Sequence, residues 1–358
     1  MKKIDFYIIK KFLSTFFLAI SLIIIIVIIF DISENIDDLI KSEAPLSEII
    51  FDYYLNFIPY FVNLFSPLFT FIAVIFFTSK MASQTEIVAI LGSGISFRRM
   101  LRPYMITATF LTILSFYLAN FLIPLTNKNM IRFRTAYINN KYHNTNRNIH
   151  MQISPGTFVY VESYAVEENK GNRFTMERFN NGTLYYKMAA NNIVWDSIKQ
   201  KWTLNNYTIH LINGYKEQLT SGLKKDTSIN LTPADFYIKA ENLEVMNFTQ
   251  LRTFIKAERL KGSENIRFYE VEKHKRIAFP FATFILTIIG VSVSSRKVRG
   301  GIGLHIAFGL GLTFMLILFM RITETFATYG NLPPIIAVWM PNVFFAGVGW
   351  YLLQKAPK

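Results

Sequence analysis

The chain of 358 residues contains no cysteine and only five histidines. Without cysteine it has no disulfide framework and no thiolate metal site. The histidines are scattered and none belongs to an HExxH motif, so the sequence does not predict a metal site. The lack of cysteine does not indicate the compartment in which the chain works.

Motifs of ATP-using and hydrolytic enzymes are also missing from the sequence. There is no GxxxxGK[ST] motif, and the GSGIS segment that begins at Gly92 is not a phosphate-binding loop, because no Lys-Ser or Lys-Thr pair follows in register. A GxSxG motif and a carboxylate pair inside an apolar stretch are absent as well. We therefore expect no enzyme active site and no cofactor, and any ATP-driven work must be done by another chain.

What the sequence has instead is six long uncharged stretches, three on each side of a polar middle. Each is long enough to cross a hydrocarbon core of about 30 Å as a helix. The stretches are Phe12 to Phe30, Tyr53 to Ser79, Pro103 to Asn127, Ile277 to Ser295, Gly300 to Met320 and Thr325 to Gln354. The predicted fold class is an α-helical membrane protein with six transmembrane helices (3+3) and a soluble domain inserted between the third and fourth.

Basic residues in the short loops predict the orientation, because Lys and Arg accumulate on the cytoplasmic side of membrane proteins. Between the first and second stretches, Lys41 is the one basic residue among seven acidic ones. Both termini are therefore expected in the cytoplasm and the insertion outside. The residues on the cytoplasmic side are Lys2, Lys3, Lys10, Lys11, Lys80, Arg98, Arg99, Arg102, Arg296, Lys297, Arg299, Lys355 and Lys358.

The insertion changes from helical to alternating hydrophobic patterning. Thr157 to Tyr164, Thr183 to Met188 and Tyr207 to Ile212 are typical of strands, and Asn-Gly pairs at Asn181 and Asn213 are typical of hairpins. Several short strands at this spacing predict a sandwich or jellyroll. After Pro233 the spacing becomes helical again.

The insertion is also basic. From residue 128 to residue 276 there are 23 Lys and Arg against 14 Asp and Glu. This excess favours contact with an anionic ligand, although a solvated basic surface explains it equally well. Nucleic acid is not expected as a partner of a domain that faces outward.

The loop between the second and third stretches, QTEIVAILGSGISFRRMLR, predicts a short amphipathic helix at about residues 84–94. Apolar Ile87, Ile90 and Leu91 lie at i, i+3 and i+4, and Gly92 and Gly94 end the pattern. Such a helix can dock into a groove on a cytoplasmic partner, or it can simply cover the base of the bundle. Glu86 favours a partner, because an acid gains little at an anionic membrane surface.

Taken together, these features resemble the LptF/LptG permeases over almost the whole chain. The local resemblance is carried by TEIVAILGSGISFRRMLRP (85–103), WDSIKQKWTLNN (195–206) and EKHKRIAFPFATFILTIIGVSVSSRKVRGG (272–301). The resemblance implies a membrane subunit that extracts lipopolysaccharide from the bacterial inner membrane without an ATPase site of its own. A weak similarity after the first stretch favours the LptG type.

The resemblance also implies roles for individual residues. Glu86 matches the acid of the family's coupling helix, which meets a basic residue of the ATPase, with Ile90, Leu91, Gly92 and Arg98 around it. Lys41, Lys128, Arg132 and Arg134 match positions that lipid phosphates pass, and Arg binds phosphate through two hydrogen bonds whereas Lys acts as a point charge. Interfacial anchoring or ion pairing within the protein is the alternative for these four residues.

The implied partners are an LptB-like cytoplasmic ATPase dimer, a second permease of the LptF/LptG type, LptC- and LptA-like periplasmic proteins, lipopolysaccharide and membrane lipids. The implied domains are residues 1–127 (three helices and the coupling helix), 128–272 (a periplasmic β-jellyroll with helical stalks) and 273–358 (three helices). A mechanotransmission-type ABC permease and a membrane-anchored sensor or scaffold with a ligand-binding β domain are the alternatives.

Overall fold

A computed structural model describes residues 2–41, 44–138, 147–236, 243–263, 265–295 and 301–356. The chain forms two compact units. One comprises Met1–Asn139, Glu244–Thr249 and Arg267–Lys358, and the other comprises Asn140–Leu243 and Gln250–Ile266. Four of the basic residues that indicate the orientation, Arg296, Lys297, Arg299 and Lys358, lie outside the described residues.

The helices of the described residues are, in chain order, α1 (Lys3–Lys41), α2 (Leu46–Ser83), α3 (Glu86–Gly92), α4 (Phe97–Tyr137), α5 (Phe248–Lys261), α6 (Ile266–Ser294), α7 (Gly301–Tyr329) and α8 (Pro334–Gln354). Six of them, namely α1, α2, α4, α6, α7 and α8, are long and apolar enough to cross a membrane. The predicted fold class is therefore confirmed, with three such helices before the sheet and three after it.

Two of the membrane helices contain a π-helical turn. The turns are Ile49–Tyr54 in α2 and Leu118–Leu122 in α4. A π turn inserts an extra residue into the helix and shifts the faces of the segments on either side, and such turns are frequent at functional sites. The hydrophobic pattern of the sequence does not reveal them.

The helices of the first unit pack through buried aromatic side chains and small residues. Phe12 and Tyr104 are fully buried where α1, α2 and α4 meet. At Gly309 of α7 an added Cβ would lie 2.3 Å from the end of the Ile75 side chain, so glycine allows α7 to approach α2 closely.

In the second unit, six antiparallel strands form one meandering sheet in the order β1 to β6. They are β1 (Arg147–Ser154), β2 (Thr157–Ala165), β3 (Lys170–Asn180), β4 (Thr183–Asp196), β5 (Lys201–Asn213) and β6 (Lys216–Thr227). Asn181 and Gly182 both have positive φ, at 47° and 81°, which is the backbone of a two-residue hairpin turn with the twist of the strands.

The core of the second unit is centred on Trp202, which is completely buried and donates a 2.8 Å hydrogen bond from Nε1 to the carbonyl of Leu231. Trp195 lies opposite it on β4, with ring centroids 5.1 Å apart. Tyr164 and Phe236 stack at 4.4 Å beside this pair. Because the Trp202 indole N–H donates to the backbone of the segment after β6, it holds that segment against the sheet.

An ion pair also fixes this segment. Lys261 of α5 contacts Asp235 at 2.5 Å and Glu258 at 3.0 Å. Burial alone would raise the pKa of Asp235, but hydrogen bonds from Lys261 and Thr232 outweigh it and hold the pKa below its ordinary value. Burial alone would lower the pKa of Lys261. The hydrogen bonds to Asp235 and Glu258 outweigh it, so the pKa lies above its ordinary value.

Candidate functional site

The short helix α3 connects α2 to α4 and is bounded by backbone turns. Thr85 precedes it in the left-handed region with φ 61°, and Gly94 follows it with φ 86°. The side chain of Ser96 then accepts a 3.3 Å hydrogen bond from the backbone N–H of Arg99 and caps α4. These turns separate α3 from α2 and from α4.

One face of α3 is anchored to the helical bundle. Ile87 is 1% exposed, and Ile90 and Leu91 pack against the same core cluster as Phe97 and Met100 of α4. Isolated helices shorter than about 12 residues are marginal in water, so this anchoring is what keeps a seven-residue helix folded.

The other face of α3 is open. Val88 is 65% exposed, Ala89 and Gly92 are exposed, and no atom lies within 4 Å of where a Cβ of Gly92 would be. Small and apolar residues on an exposed helix face fit a groove on another protein. Of the residues predicted for partner contact, Gly92 lies on this face, whereas Ile90 and Leu91 point mainly towards the bundle.

Glu86 lies at the first turn of α3 and contacts the first membrane helix. It is half-buried, and its carboxylate accepts a 3.1 Å hydrogen bond from the hydroxyl of Tyr7. The neighbouring ion pair joins the same two parts of the chain: Arg99 donates to both carboxylate oxygens of Asp5 at 2.7 Å. The start of α1 is thus attached both to α3 and to the start of α4.

Arg98 was predicted from the sequence to contact the partner, whereas Arg99, Asp5 and Tyr7 were not. Arg98 is exposed, whereas Arg99 is half-buried against Asp5. One signal was available, since Asp5 is the single acid among four lysines in the N-terminal segment. The Tyr7 contact joins residues 79 positions apart and has no signature in the sequence.

Three of the four predicted phosphate-binding residues are exposed. Lys41 is the last residue of α1, and Lys128 and Arg132 lie one helical turn apart on the same face of α4. Their charges are accessible to a ligand.

Arg134 is different, because it is half-buried near Asp31 of α1. The Asp31 carboxylate accepts hydrogen bonds from the hydroxyls of Tyr53 and Tyr54 at 3.2 and 3.1 Å. Arg134 is close enough for electrostatic attraction to this carboxylate, and its buried Nε has no hydrogen-bond partner within the described part of the chain. The arrangement suits a positioning role within the bundle as well as a ligand contact.

Two membrane helices are covered less than the rest. Only 22% of the most apolar segment of α1, and the same share of α7, is buried, compared with 61% for α6. Their exposed side chains are large and apolar and include Leu22 and Ile26 of α1 and Phe314 and Leu318 of α7. These surfaces fit hydrocarbon, whether it belongs to the bilayer, to a lipid ligand or to another membrane helix.

The sequence matches the family described as "Lipopolysaccharide export system permease LptF/LptG" over residues 6–355. Two similar proteins are the "Lipopolysaccharide export system permease protein LptG" of Escherichia coli strain K12 and that of Escherichia coli O6:H1 strain CFT073. Each is 21% identical to this chain over 312 residues, which cover 85% of the chain and 85% of the relative.

Proposed function

Because the chain belongs to the LptF/LptG family of lipopolysaccharide export permeases, we propose that it is the membrane subunit of an ABC transporter that extracts lipopolysaccharide from the inner membrane. The observation that carries this proposal is the family match over residues 6–355, which includes all six membrane helices and the sheet. ATP hydrolysis takes place in a separate cytoplasmic ATPase of the LptB type, and a second permease completes the membrane part. The similarity to LptG proteins favours the LptG type.

In this proposal α3 is the coupling helix that receives the movement of the ATPase. Its open face, with Val88, Ala89 and Gly92, enters a groove of the ATPase, and Glu86 meets a basic residue there. The orientation that follows from the basic loops supports this assignment, since it puts α3 and both termini in the cytoplasm.

The contacts of α1 supply the route by which this movement reaches the lipid. Asp5 and Tyr7 attach the start of α1 to Arg99 and Glu86, so a displacement of α3 pulls directly on α1. A bidentate Arg–carboxylate pair is suited to this because it fixes direction as well as distance. The sparsely covered α1 and α7, together with the second permease, then form the wall of the cavity that holds the lipid.

Lys41, Lys128 and Arg132 bind the phosphates of the extracted glycolipid in this proposal. All three are exposed, and they lie near the ends of α1 and α4 that we assign to the periplasmic side. Arg134 contacts phosphate only if it leaves Asp31, and otherwise it positions α4 against α1.

The domain of residues 128–272 passes the lipid to LptC- and LptA-like periplasmic proteins of matching fold. Both terminal strands of the meander, β1 and β6, have one neighbour within the described sheet, and an unpaired strand edge is a template for another chain. Acyl chains ride in the interior of this domain, while the sugars stay in water.

Co-purification with the cytoplasmic ATPase tests the coupling role. Glu86→Lys should abolish retention of the ATPase, and Glu86→Ala should weaken it. Tyr7→Phe is the matched control, because it removes the internal hydrogen bond of Glu86 but leaves the carboxylate in place. Retention of the ATPase by Glu86→Lys, or an equal loss in Tyr7→Phe, would count against a direct contact of Glu86.

A further inference from the structure

A cavity of the first unit lies among α2, α4, α6 and α7. Its volume is ≈ 180 Å³, and it is open on one side. Among the described residues that line it, none comes from α1. It therefore shares α7 with the wall of the proposed export route but not α1, and it is built within a single chain.

The cavity has an apolar part and a charged end. Leu64, Leu68, Leu316 and Ile317 line the apolar part, and from Thr313 to Arg321 at the charged end α7 rises about 12 Å at about 1.5 Å per residue. This depth suits an acyl chain better than a small polar metabolite.

The charged end is lined by three basic and three acidic residues. The basic ones are Lys275, Arg276 and Arg321, and the acidic ones are Glu244, Glu272 and Glu324. Because the formal charges cancel, a ligand with negative charge alone would face as many carboxylates as cations. A headgroup that carries both signs matches this lining.

Lys275 lies between two carboxylates without hydrogen-bonding either. Its Nζ is 3.6 Å from Glu324 and 3.9 Å from Glu272, both too long for a hydrogen bond. In the part of the chain that the structure describes, its ammonium donates no hydrogen bond. Its side chain is 30% exposed. Three donors therefore remain for an acceptor in the cavity.

Arg321 has similar capacity. Its side chain is 63% exposed and, among the described residues, its one polar contact is that of 3.4 Å to Glu324. Arg276, by contrast, is held by Glu272 at 3.3 Å and by the carbonyl of Met246 at 2.6 Å. Arg276 thus positions the wall, while Lys275 and Arg321 are the cations available to a ligand.

We propose that this cavity binds one glycerophospholipid with a zwitterionic headgroup. The phosphate contacts Lys275 and Arg321, the ammonium group lies against Glu272 or Glu324, and an acyl chain enters the apolar part between α2 and α7. The site is an accessory lipid site of the single permease chain, distinct from the site of the exported glycolipid.

Native mass spectrometry of the delipidated full-length chain tests this proposal, with phosphatidylethanolamine, phosphatidylglycerol, lipopolysaccharide or inorganic phosphate added separately. We expect a one-to-one complex with phosphatidylethanolamine and at least about tenfold weaker binding in Lys275→Gln, which removes charge-assisted hydrogen bonds. Lys273→Gln, on the same helix but outside the cavity lining, is the matched control and should bind normally.

A second pair of variants tests the apolar part. Ile317→Trp fills the cavity and should abolish binding, whereas Leu318→Trp, one residue further and outside the lining, should not. Tighter binding of phosphatidylglycerol or lipopolysaccharide, binding of inorganic phosphate without lipid, or retained phosphatidylethanolamine in both Lys275→Gln and Ile317→Trp would overturn the proposal.

Discussion

Ile87 and Val88 are adjacent on α3 but face opposite ways, so truncating each to alanine should have opposite consequences. Ile87 is 1% exposed and anchors the helix, whereas Val88 is 65% exposed. Removing a buried isoleucine side chain costs about 2–5 kcal/mol. A seven-residue helix has little stability of its own, so the cost falls on its docking to the bundle.

A cost of about 2 kcal/mol means that Ile87→Ala should lower the ratio of docked to undocked α3 roughly 30-fold. Hydrogen exchange of the amides in residues 86–92 measures this ratio and should accelerate by that factor. Val88→Ala should leave exchange unchanged, because truncation of an exposed side chain changes stability by less than about 0.5 kcal/mol.

The two variants should also differ in their affinity for the ATPase. Val88→Ala removes two methyl groups from the proposed interface, worth about 1.5 kcal/mol or roughly tenfold in affinity. Val343→Ala is the matched control, since Val343 of α8 is 67% exposed on another helix. If Val88→Ala weakens binding of the ATPase no more than Val343→Ala does, the open face of α3 is not the interface.

Three further predictions concern other contacts. Asp5→Arg and Arg99→Asp should each lower ATP-driven lipid extraction while ATPase binding is retained, and the double swap should restore it; equal loss in all three would refute the transmission role. Trp202→Phe should lower the free energy of unfolding of the sheet unit by about 1–3 kcal/mol, measured by thermal melting, because a buried carbonyl loses its donor. The Asp235–Lys261 pair should stabilise the sheet unit over a wide pH range. Its contribution should be lost as the pH falls below about 3.8, since the pKa of Asp235 is lowered, and as the pH rises above about 10.5, since that of Lys261 is raised. Asp235→Asn should abolish the acid limb, and an unchanged acid limb in that variant would contradict the assignment.

The membrane part of the fold was predictable because long uncharged runs have one physical solution in a bilayer, a helix. The strands were predictable only in part. β2, β4 and β5 bury alternate residues over part of their length and show the period of two there, whereas β6 is exposed along almost its whole length and has no apolar face to reveal it.

The candidate site was predictable where its signal is local. The helix at Glu86 and its apolar spacing follow from neighbouring residues, but the sequence FRRM does not indicate which arginine turns inward. The structure turns Arg99 towards Asp5, 94 residues away. Arg134 likewise lies near enough to Asp31 of α1 to attract it, which no pattern within either helix specifies.

Site-specific photo-crosslinking in intact membranes tests the export assignment most directly. Photoreactive residues at Ile40 and Leu125, which are 71% and 63% exposed beside Lys41 and Lys128, should form adducts with lipopolysaccharide that depend on ATP hydrolysis. Adducts with ordinary phospholipid alone, unchanged by ATP, would contradict the account.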